Sequence, residues 1–106
     1  MPDFQPTIPL EKLPPGKSTT VEVEGKTVAL FNVDGTVHAI SDTCMHAGHS
    51  LGWGILEGNV VRCRGHGWRF DVRTGRVLSG PTDVPLATYP VRLEEDRLLV
   101  QLPGEG

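Results

Sequence analysis

The chain has 106 residues and a formal net charge of −3, with 38% hydrophobic and 22% charged residues. This size suits one domain spanning residues 1–106 with a thin core, and the charge excludes the strongly basic surface of a nucleic-acid-binding protein. Thirteen glycines and nine prolines disfavour long helices. No segment has the length and hydrophobicity of a membrane span or a signal peptide. We therefore expect a cytoplasmic protein.

The N-terminal half is predicted to begin with short strands. Residues 17–23 alternate between polar and apolar side chains, and residues 28–33 are mostly apolar. The Asp34-Gly35 pair follows, and residues 37–40 resume the strand pattern. Asp-Gly readily supplies the positive φ angles of a two-residue turn, so residues 28–40 are predicted to form a β-hairpin.

Three further turns are predicted, at residues 57–59, 72–75 and 94–96, each between short strand-like segments. A helix is the alternative near the C-terminus, because Leu98 and Leu102 have helical spacing. The alternation of apolar residues along residues 91–102 favours strands instead. Many short strands separated by turns predict an all-β sandwich or small barrel.

Two glycine-rich segments each place a cysteine close to a histidine. The first loop, residues 44–49, contains Cys44 and His46, and the second loop, residues 63–68, contains Cys63 and His66. Each loop follows a predicted strand, so a rigid sheet can hold the two loops facing each other. Thiolate and imidazole groups are common metal ligands. In a reducing compartment, metal binding is a more reasonable use of the two cysteines than a disulfide.

The ligand spacing distinguishes a structural zinc site from a two-iron cluster. Structural zinc sites usually pair cysteine with cysteine and histidine with histidine, with at least two residues between paired ligands. Here each loop mixes the two ligand types, and a single residue separates Cys44 from His46. A two-iron cluster fits this arrangement better, because each loop can give its cysteine to one iron and its histidine to the other.

The pattern of Cys-x-His, sixteen residues and Cys-x-x-His resembles the Rieske signature. From Cys44 to Leu102 the chain is similar to the Rieske ferredoxins that serve bacterial ring-hydroxylating dioxygenases. The similar positions are Ser50-Leu51, Gly54, Gly58, His66-Gly67, Phe70, Thr74-Gly75, Pro81, Tyr89-Pro90-Val91 and Leu98-Leu99-Val100.

This resemblance implies a Rieske-like β fold with a cluster-binding subdomain, built on loops within about residues 42–82, and one [2Fe–2S] cluster. Cys44 and Cys63 would bind the inner iron, and His46 and His66 would bind the outer iron through Nδ1. Gly80-Pro81 would belong to a third loop that covers the cluster.

The same resemblance implies a one-electron carrier that is not catalytic alone. It would receive electrons from an NAD(P)H-dependent flavin reductase and pass them to a terminal oxygenase. We expect a monomer that binds neither nucleic acid nor membrane.

Departures from the respiratory Rieske proteins imply a low reduction potential. His49 and Gly65 stand where those proteins have two further cysteines, and Trp68 and Phe70 stand where they have serine and tyrosine. Fewer hydrogen bonds to sulfur leave the reduced cluster less stabilised. We expect a midpoint in the negative quarter of the range from about −150 to +300 mV.

The sequence also allows predictions for several residues other than the four ligands. Arg64 stands where the family usually has proline, and with Arg62 and Arg69 it could raise the potential or attract an acidic partner. His49 is interpreted as a polar residue at the rim of the site. His38 is expected to face solvent from its strand.

Two other functions stay open on the sequence alone. One is the small subunit of an assimilatory NADH nitrite reductase, which has a similar fold but often lacks the four ligands. The other is an interaction module that zinc or a cluster stabilises without any redox role.

Overall fold

A computed structural model describes residues 4–42, 54–63, 68–80 and 86–101, which form short antiparallel strands and a 3₁₀ turn at Leu10–Lys12. The all-β prediction is confirmed. The strands in chain order are β1 Phe4–Pro9, β2 Ser18–Val23, β3 Lys26–Val33, β4 Thr36–Ser41, β5 Ile55–Glu57, β6 Val60–Arg62, β7 Arg69–Asp71, β8 Val77–Ser79, β9 Thr88–Tyr89, β10 Val91–Glu94 and β11 Arg97–Gln101.

The strands form three antiparallel sheets. The terminal sheet has the order β1-β11-β10, the central sheet β2-β3-β4-β9, and the loop-bearing sheet β5-β6-β7-β8. Alternate side chains of β3 point to opposite faces of the central sheet, as the strand period requires. The central sheet therefore contributes to a separate hydrophobic core on each face.

The first of these cores, the loop-side core, joins the central sheet to the loop-bearing sheet. Its buried members are Ala29, Phe31, Ile40, Val61, Cys63, Phe70, Val72 and Leu86. The second, the terminal core, joins the central sheet to the terminal sheet. Its buried members are Leu13, Val23, Val28, Leu30, Ala39, Leu98 and Val100.

The predicted hairpins are confirmed, and their turns show why the strands end where they do. Asp34 and Gly35 have φ angles of 52° and 94°, as a two-residue type I′ turn requires. The last hairpin turns at Glu95 and Asp96, whose φ angles are 50° and 68°. Both C-terminal segments are strands, so the helical alternative is wrong for the described part of that region.

Two strand boundaries differ from the prediction. The strand β1 was not predicted. It contains Pro6 and Pro9, and it pairs with β11 at a sheet edge, which tolerates proline. The strand-like segment before the predicted turn at residues 94–96 divides at Pro90. Tyr89 pairs with the central sheet, whereas Val91 pairs with the terminal sheet.

Leu93 departs from the predicted apolar face of the last hairpin. It pairs with Leu98, which is buried, but Leu93 itself is 51% exposed on the edge strand β10. Leu102, predicted on the same face, lies outside the described residues. Within the described ranges, the structure contains no helix that is long and apolar enough to cross a membrane.

Candidate metal centre

Cys63 lies immediately after β6 and is 0% exposed. Its free thiol belongs to the loop-side core, together with Val61 and Phe70 of the same sheet. Ile40, near the end of β4, belongs to the same core. The strand that precedes the first loop and the strand that carries Cys63 are therefore joined by one packed cluster of side chains.

The backbone closes the second loop at its base. The Cys63 N–H donates a hydrogen bond of 2.7 Å to the carbonyl oxygen of Trp68. This bond extends the β6–β7 ladder by one pair beyond Arg62 and Arg69. Residues 64–67 thus connect two hydrogen-bonded positions of one hairpin. His66 is one of these four residues and lies outside the described part of the chain.

The first loop follows β4, whose end is fixed by two backbone hydrogen bonds. The Ser41 N–H donates to the carbonyl oxygen of Ala87 at 2.9 Å, and the Asp42 N–H donates to that of Thr27 at 3.4 Å. The loop itself, with Cys44, His46 and His49, lies outside the described residues.

Three of the four predicted ligands are therefore not described, and the described ranges alone contain no group of three or more possible metal ligands. The four-ligand assignment stays a prediction. Arg64, Gly65 and Pro81 also lie outside the described residues.

Gly80 begins the predicted third loop and lies against the second. A Cβ atom at Gly80 would lie 3.1 Å from Val77 Cγ1 and 3.6 Å from Trp68 Cγ. A side chain there would crowd Val77, whereas its distance from Trp68 would be an ordinary van der Waals contact. The contact packs the start of the third loop against the base of the second.

The two aromatic residues after the second loop give the Cys63 thiol an apolar environment. Phe70 is fully buried in the loop-side core with Cys63, and Trp68 packs against that core from a half-buried position. Neither side chain carries a hydroxyl group.

A polar cluster borders the other part of the loop-bearing sheet. Asp71 Oδ2 lies 3.1 Å from Arg73 Nη2. In the amide orientation that satisfies both groups, Asn59 accepts from Arg73 at 2.7 and 2.8 Å. His38 lines an adjoining cleft of about 450 Å³ with Arg73 and Tyr89. His38, expected to face solvent from its strand, is half-buried where it lines this cleft.

The pKa values of His38 and Asp71 in this cluster are both lowered. Burial lowers the pKa of His38 below its ordinary value of 6.5, the nearby Arg73 guanidinium lowers it further, and the Asp71 carboxylate partly opposes them. The hydrogen bond from the Arg73 side chain lowers the pKa of Asp71. No motif in the sequence indicates this cluster, because Asn59, Asp71 and His38 meet only through sheet packing.

Comparison with known proteins gives the centre its identity. The family model of the Rieske [2Fe–2S] domain matches residues 3–90. The chain belongs to the Rieske [2Fe–2S] family. Membership assigns one [2Fe–2S] cluster to the chain and agrees with the all-β fold.

Relatives of this Rieske protein indicate its functional class. The chain is 39% identical over 95 residues to the ferredoxin component of a naphthalene 1,2-dioxygenase system from Pseudomonas aeruginosa, covering 90% of this chain and 91% of that protein. A structure of the complex of reduced oxygenase and oxidized ferredoxin in carbazole 1,9a-dioxygenase contains a chain with a TM-score of 0.85 and 32% identity, covering 92% of both chains.

Another Rieske-like structure represents a different class. A protein from Mycobacterium tuberculosis, assigned as the small subunit of an NADH-dependent nitrite reductase, has a TM-score of 0.87 and 26% identity. The match covers 99% of both chains. Fold similarity alone therefore does not separate the two classes.

The described residues fit a Rieske cluster. A cysteine that binds the inner iron should lie on a rigid element, in surroundings that limit access of water. Cys63 meets these conditions, because it is fully buried, follows a strand directly and is fixed through its own N–H. The sequence of the two loops contains both cysteine and histidine, the donor types that distinguish Rieske centres from all-cysteine clusters.

Proposed function

We propose that this Rieske protein carries single electrons from an NAD(P)H-dependent flavin reductase to the terminal oxygenase of a ring-hydroxylating dioxygenase system. The observation that carries the proposal is the match to a dioxygenase ferredoxin component over 90% of this chain and 91% of the relative. The similarity thus extends over nearly the whole of a known carrier.

Cys44 and Cys63 are proposed to hold the inner iron, and His46 and His66 the outer iron. The bound cluster supplies reversible one-electron chemistry. The chain's own contribution is to hold the ligands in place and to limit access of water. Support comes from the burial of Cys63 in the loop-side core and from the hydrogen bond that closes the second loop.

We further propose that the reduction potential lies in the negative quarter of the Rieske range, which runs from about −150 to +300 mV. Phe70 and Trp68 offer no hydroxyl group that could donate a hydrogen bond to sulfur. Because such bonds stabilise the more negative reduced cluster, the lack of a hydroxyl group at these two positions favours a low potential.

The protein is proposed to act as a cytoplasmic monomer, comprising one domain over residues 1–106 with its cluster-binding loops within about residues 42–82. A reductase that draws on NAD(P)H works where those nucleotides are plentiful, which supports the cytoplasm. The aromatic substrate is determined by the oxygenase, since the electron is the only species that the carrier delivers.

The small subunit of an NADH nitrite reductase is the second candidate, because the Mycobacterium structure covers 99% of both chains. The four metal-binding side chains in the sequence argue for the carrier instead, since a nitrite reductase small subunit often lacks them. The two functions differ in their acceptor, which an electron-transfer assay can distinguish.

The proposal is tested first by composition and spectroscopy. The purified protein should contain about two iron atoms and two acid-labile sulfides per chain, with a Rieske-type EPR signal after reduction. Cys63→Ser and His66→Ala should each lose the Rieske signal, whereas the control His49→Ala should keep it. Colourless protein that contains zinc, or an intact reducible centre in His66→Ala, would overturn the ligand assignment.

The second test measures electron delivery. With an NAD(P)H-dependent ferredoxin reductase as donor, the reduced protein should support product formation by the terminal oxygenase of a naphthalene 1,2-dioxygenase system. Electron transfer to a siroheme-containing nitrite reductase, with none to the oxygenase, would favour the second candidate.

A further inference from the structure

The outer face of the loop-bearing sheet carries two arginines at the base of the second loop. Arg62 of β6 and Arg69 of β7 are direct cross-strand partners, and both are exposed. Arg62 precedes Cys63, and Arg69 follows Trp68. The pair therefore lies next to the backbone hydrogen bond that closes this loop.

The register brings these two side chains as close as a sheet allows. Cys63 and Trp68 form a hydrogen-bonded position of the ladder, so the neighbouring Arg62–Arg69 position is a non-hydrogen-bonded one. At such positions the Cα atoms are about 4.5 Å apart, and the side chains lie closer together than at hydrogen-bonded positions. Like charges placed directly opposite each other destabilise a sheet.

No carboxylate among the described residues forms an ion pair with either guanidinium. The described ion pairs are Arg73 with Asp71 and Arg92 with Glu94, both elsewhere. The pair thus concentrates positive charge on one small area of a chain whose net charge is −3. Packing does not require this charge, because both side chains point away from the loop-side core.

Apolar surface borders the same area. Leu78 of β8 is 48% exposed, at the irregularity where the β7–β8 register shifts next to Arg69. Ile55 of β5 pairs with Arg62 and is half-buried. Arginine is enriched at protein interfaces, and here two arginines lie beside one exposed and one half-buried aliphatic side chain.

We propose that the Arg62–Arg69 face, with Ile55 and Leu78, is a docking surface for an acidic area on the terminal oxygenase. This inference rests on the proposed function and adds the chemistry of partner recognition to it. Opposite charges on the two proteins would steer their encounter and bring the second loop toward the acceptor.

A solved complex favours the oxygenase as the occupant. The complex of reduced oxygenase and oxidized ferredoxin in carbazole 1,9a-dioxygenase contains a chain that is 32% identical to this one and matches 92% of both chains. A carrier of this fold therefore docks directly on a terminal oxygenase in that system, and an acidic area there would complement the Arg62–Arg69 face.

The test compares the native protein with the double variant Arg62→Gln/Arg69→Gln. The reduced proteins are mixed with the terminal oxygenase of a naphthalene 1,2-dioxygenase system in a stopped-flow instrument, over a series of salt concentrations. The native rate should fall as salt rises. The variant should be about tenfold slower at low salt and nearly independent of salt, because electrostatic steering contributes on this scale.

Two controls separate local charge from other effects. Arg62→Lys/Arg69→Lys keeps the charge and should keep the salt dependence. Lys12→Gln/Lys17→Gln removes the same net charge from the exposed segment between β1 and β2, outside the loop-bearing sheet, and should change the rate little. The glutamine variant should also unfold at the same or a higher temperature than the native protein, since it relieves a like-charge pair.

The possible failures are distinguishable. Equal rates and salt slopes for the native protein and Arg62→Gln/Arg69→Gln would overturn the docking surface and leave the carrier function intact. If the double variant changed the salt dependence of reduction by the reductase, but not that of electron transfer to the oxygenase, the choice of the oxygenase as the partner would be overturned. A cluster-loaded native protein that delivers no electron to the oxygenase would overturn the proposed function, and the docking surface with it.

Discussion

Gly75 and Leu86 are joined by backbone contacts that no other residue type could make at Gly75. The Leu86 N–H donates a hydrogen bond of 2.8 Å to the Gly75 carbonyl oxygen. Gly75 has a φ angle of +77°, and a Cβ atom there would overlap the Leu86 carbonyl oxygen. The β7–β8 turn therefore holds Leu86, the first described residue after residues 81–85.

Gly75→Ala is expected to lower the free energy of unfolding by at least about 2 kcal/mol, because it adds left-handed strain to a backbone overlap. Chemical denaturation measures this loss. Gly58→Ala is the matched control, since Gly58 also has a positive φ angle of 62° but nothing lies within 4 Å of its added Cβ. Its cost should be about 1 kcal/mol, and equal costs for the two variants would contradict the proposed overlap.

Asn32→Ala is expected to destabilise the β3–β4 hairpin by about 1 to 3 kcal/mol. The buried Asn32 side chain donates to the Leu13 carbonyl oxygen at 2.7 Å and accepts from the Gly35 N–H at 2.8 Å. Removing this side chain leaves the Leu13 carbonyl oxygen and the Gly35 N–H without these hydrogen bonds. Thr7→Val, which removes one partly buried hydrogen bond to Leu98, is the control. The prediction fails if Asn32→Ala costs no more than Thr7→Val in denaturation.

The charged neighbours of His38 should move its pKa in opposite directions. Arg73→Met removes a positive charge, so the pKa of His38 should rise while staying below 6.5 because of burial. Asp71→Asn removes the opposing carboxylate and should lower the pKa further. Histidine proton resonances followed by NMR during a pH titration measure both shifts. Shifts of the same sign in the two variants would contradict the described geometry.

These shifts also determine how stability depends on pH. The pKa of His38 is lowered in the folded protein, so the unfolded chain binds a proton first as the pH falls below 6.5, and stability declines until the folded pKa is passed. The pKa of Asp71 is lowered from 3.8, so its stabilising contribution is complete above 3.8 and is lost as the pH falls through the folded value. Arg73→Met should reduce the loss of stability that Asp71 causes below pH 3.8. Denaturation at a series of pH values measures this change.

Phe70→Tyr should raise the midpoint potential by about 20 to 60 mV. One hydrogen bond that stabilises the reduced cluster contributes about 0.5 to 1.5 kcal/mol, and a one-electron couple changes by 59 mV for each tenfold change in equilibrium. Protein-film voltammetry measures the change. Phe70→Leu, which alters packing in the loop-side core without adding a hydroxyl group, should show no comparable rise. An equal rise in both variants would attribute the effect to packing.

The local pattern of the sequence was sufficient to predict the hairpins. Asp34-Gly35 determines its own turn through backbone conformation, and the alternation around Leu98 and Val100 determines which side chains face the terminal core. In both cases the relevant interactions lie within one hairpin or one strand face, so they are visible in the order of residues.

Features that depend on distant contacts were not predictable in the same way. β1, which contains Pro6 and Pro9, was not predicted, and only its pairing with β11 at a sheet edge shows how a strand accommodates them. The cleft that His38 shares with Arg73 was not predicted, because Arg73 is 35 positions away in the chain. For the candidate site, ligand types and spacing predicted the metal centre, whereas the burial of Cys63 required the packing of two sheets.

The division of the hydrophobic interior into two cores bears on how the holoprotein is made. Cys63, the predicted ligand that the structure describes, belongs to the loop-side core, whereas the described members of the terminal core come from the central sheet, the terminal sheet and the segment that follows β1. We therefore expect the terminal core to stay packed when no iron or sulfide is bound. A newly synthesised chain would then offer an ordered frame to the system that delivers the cluster.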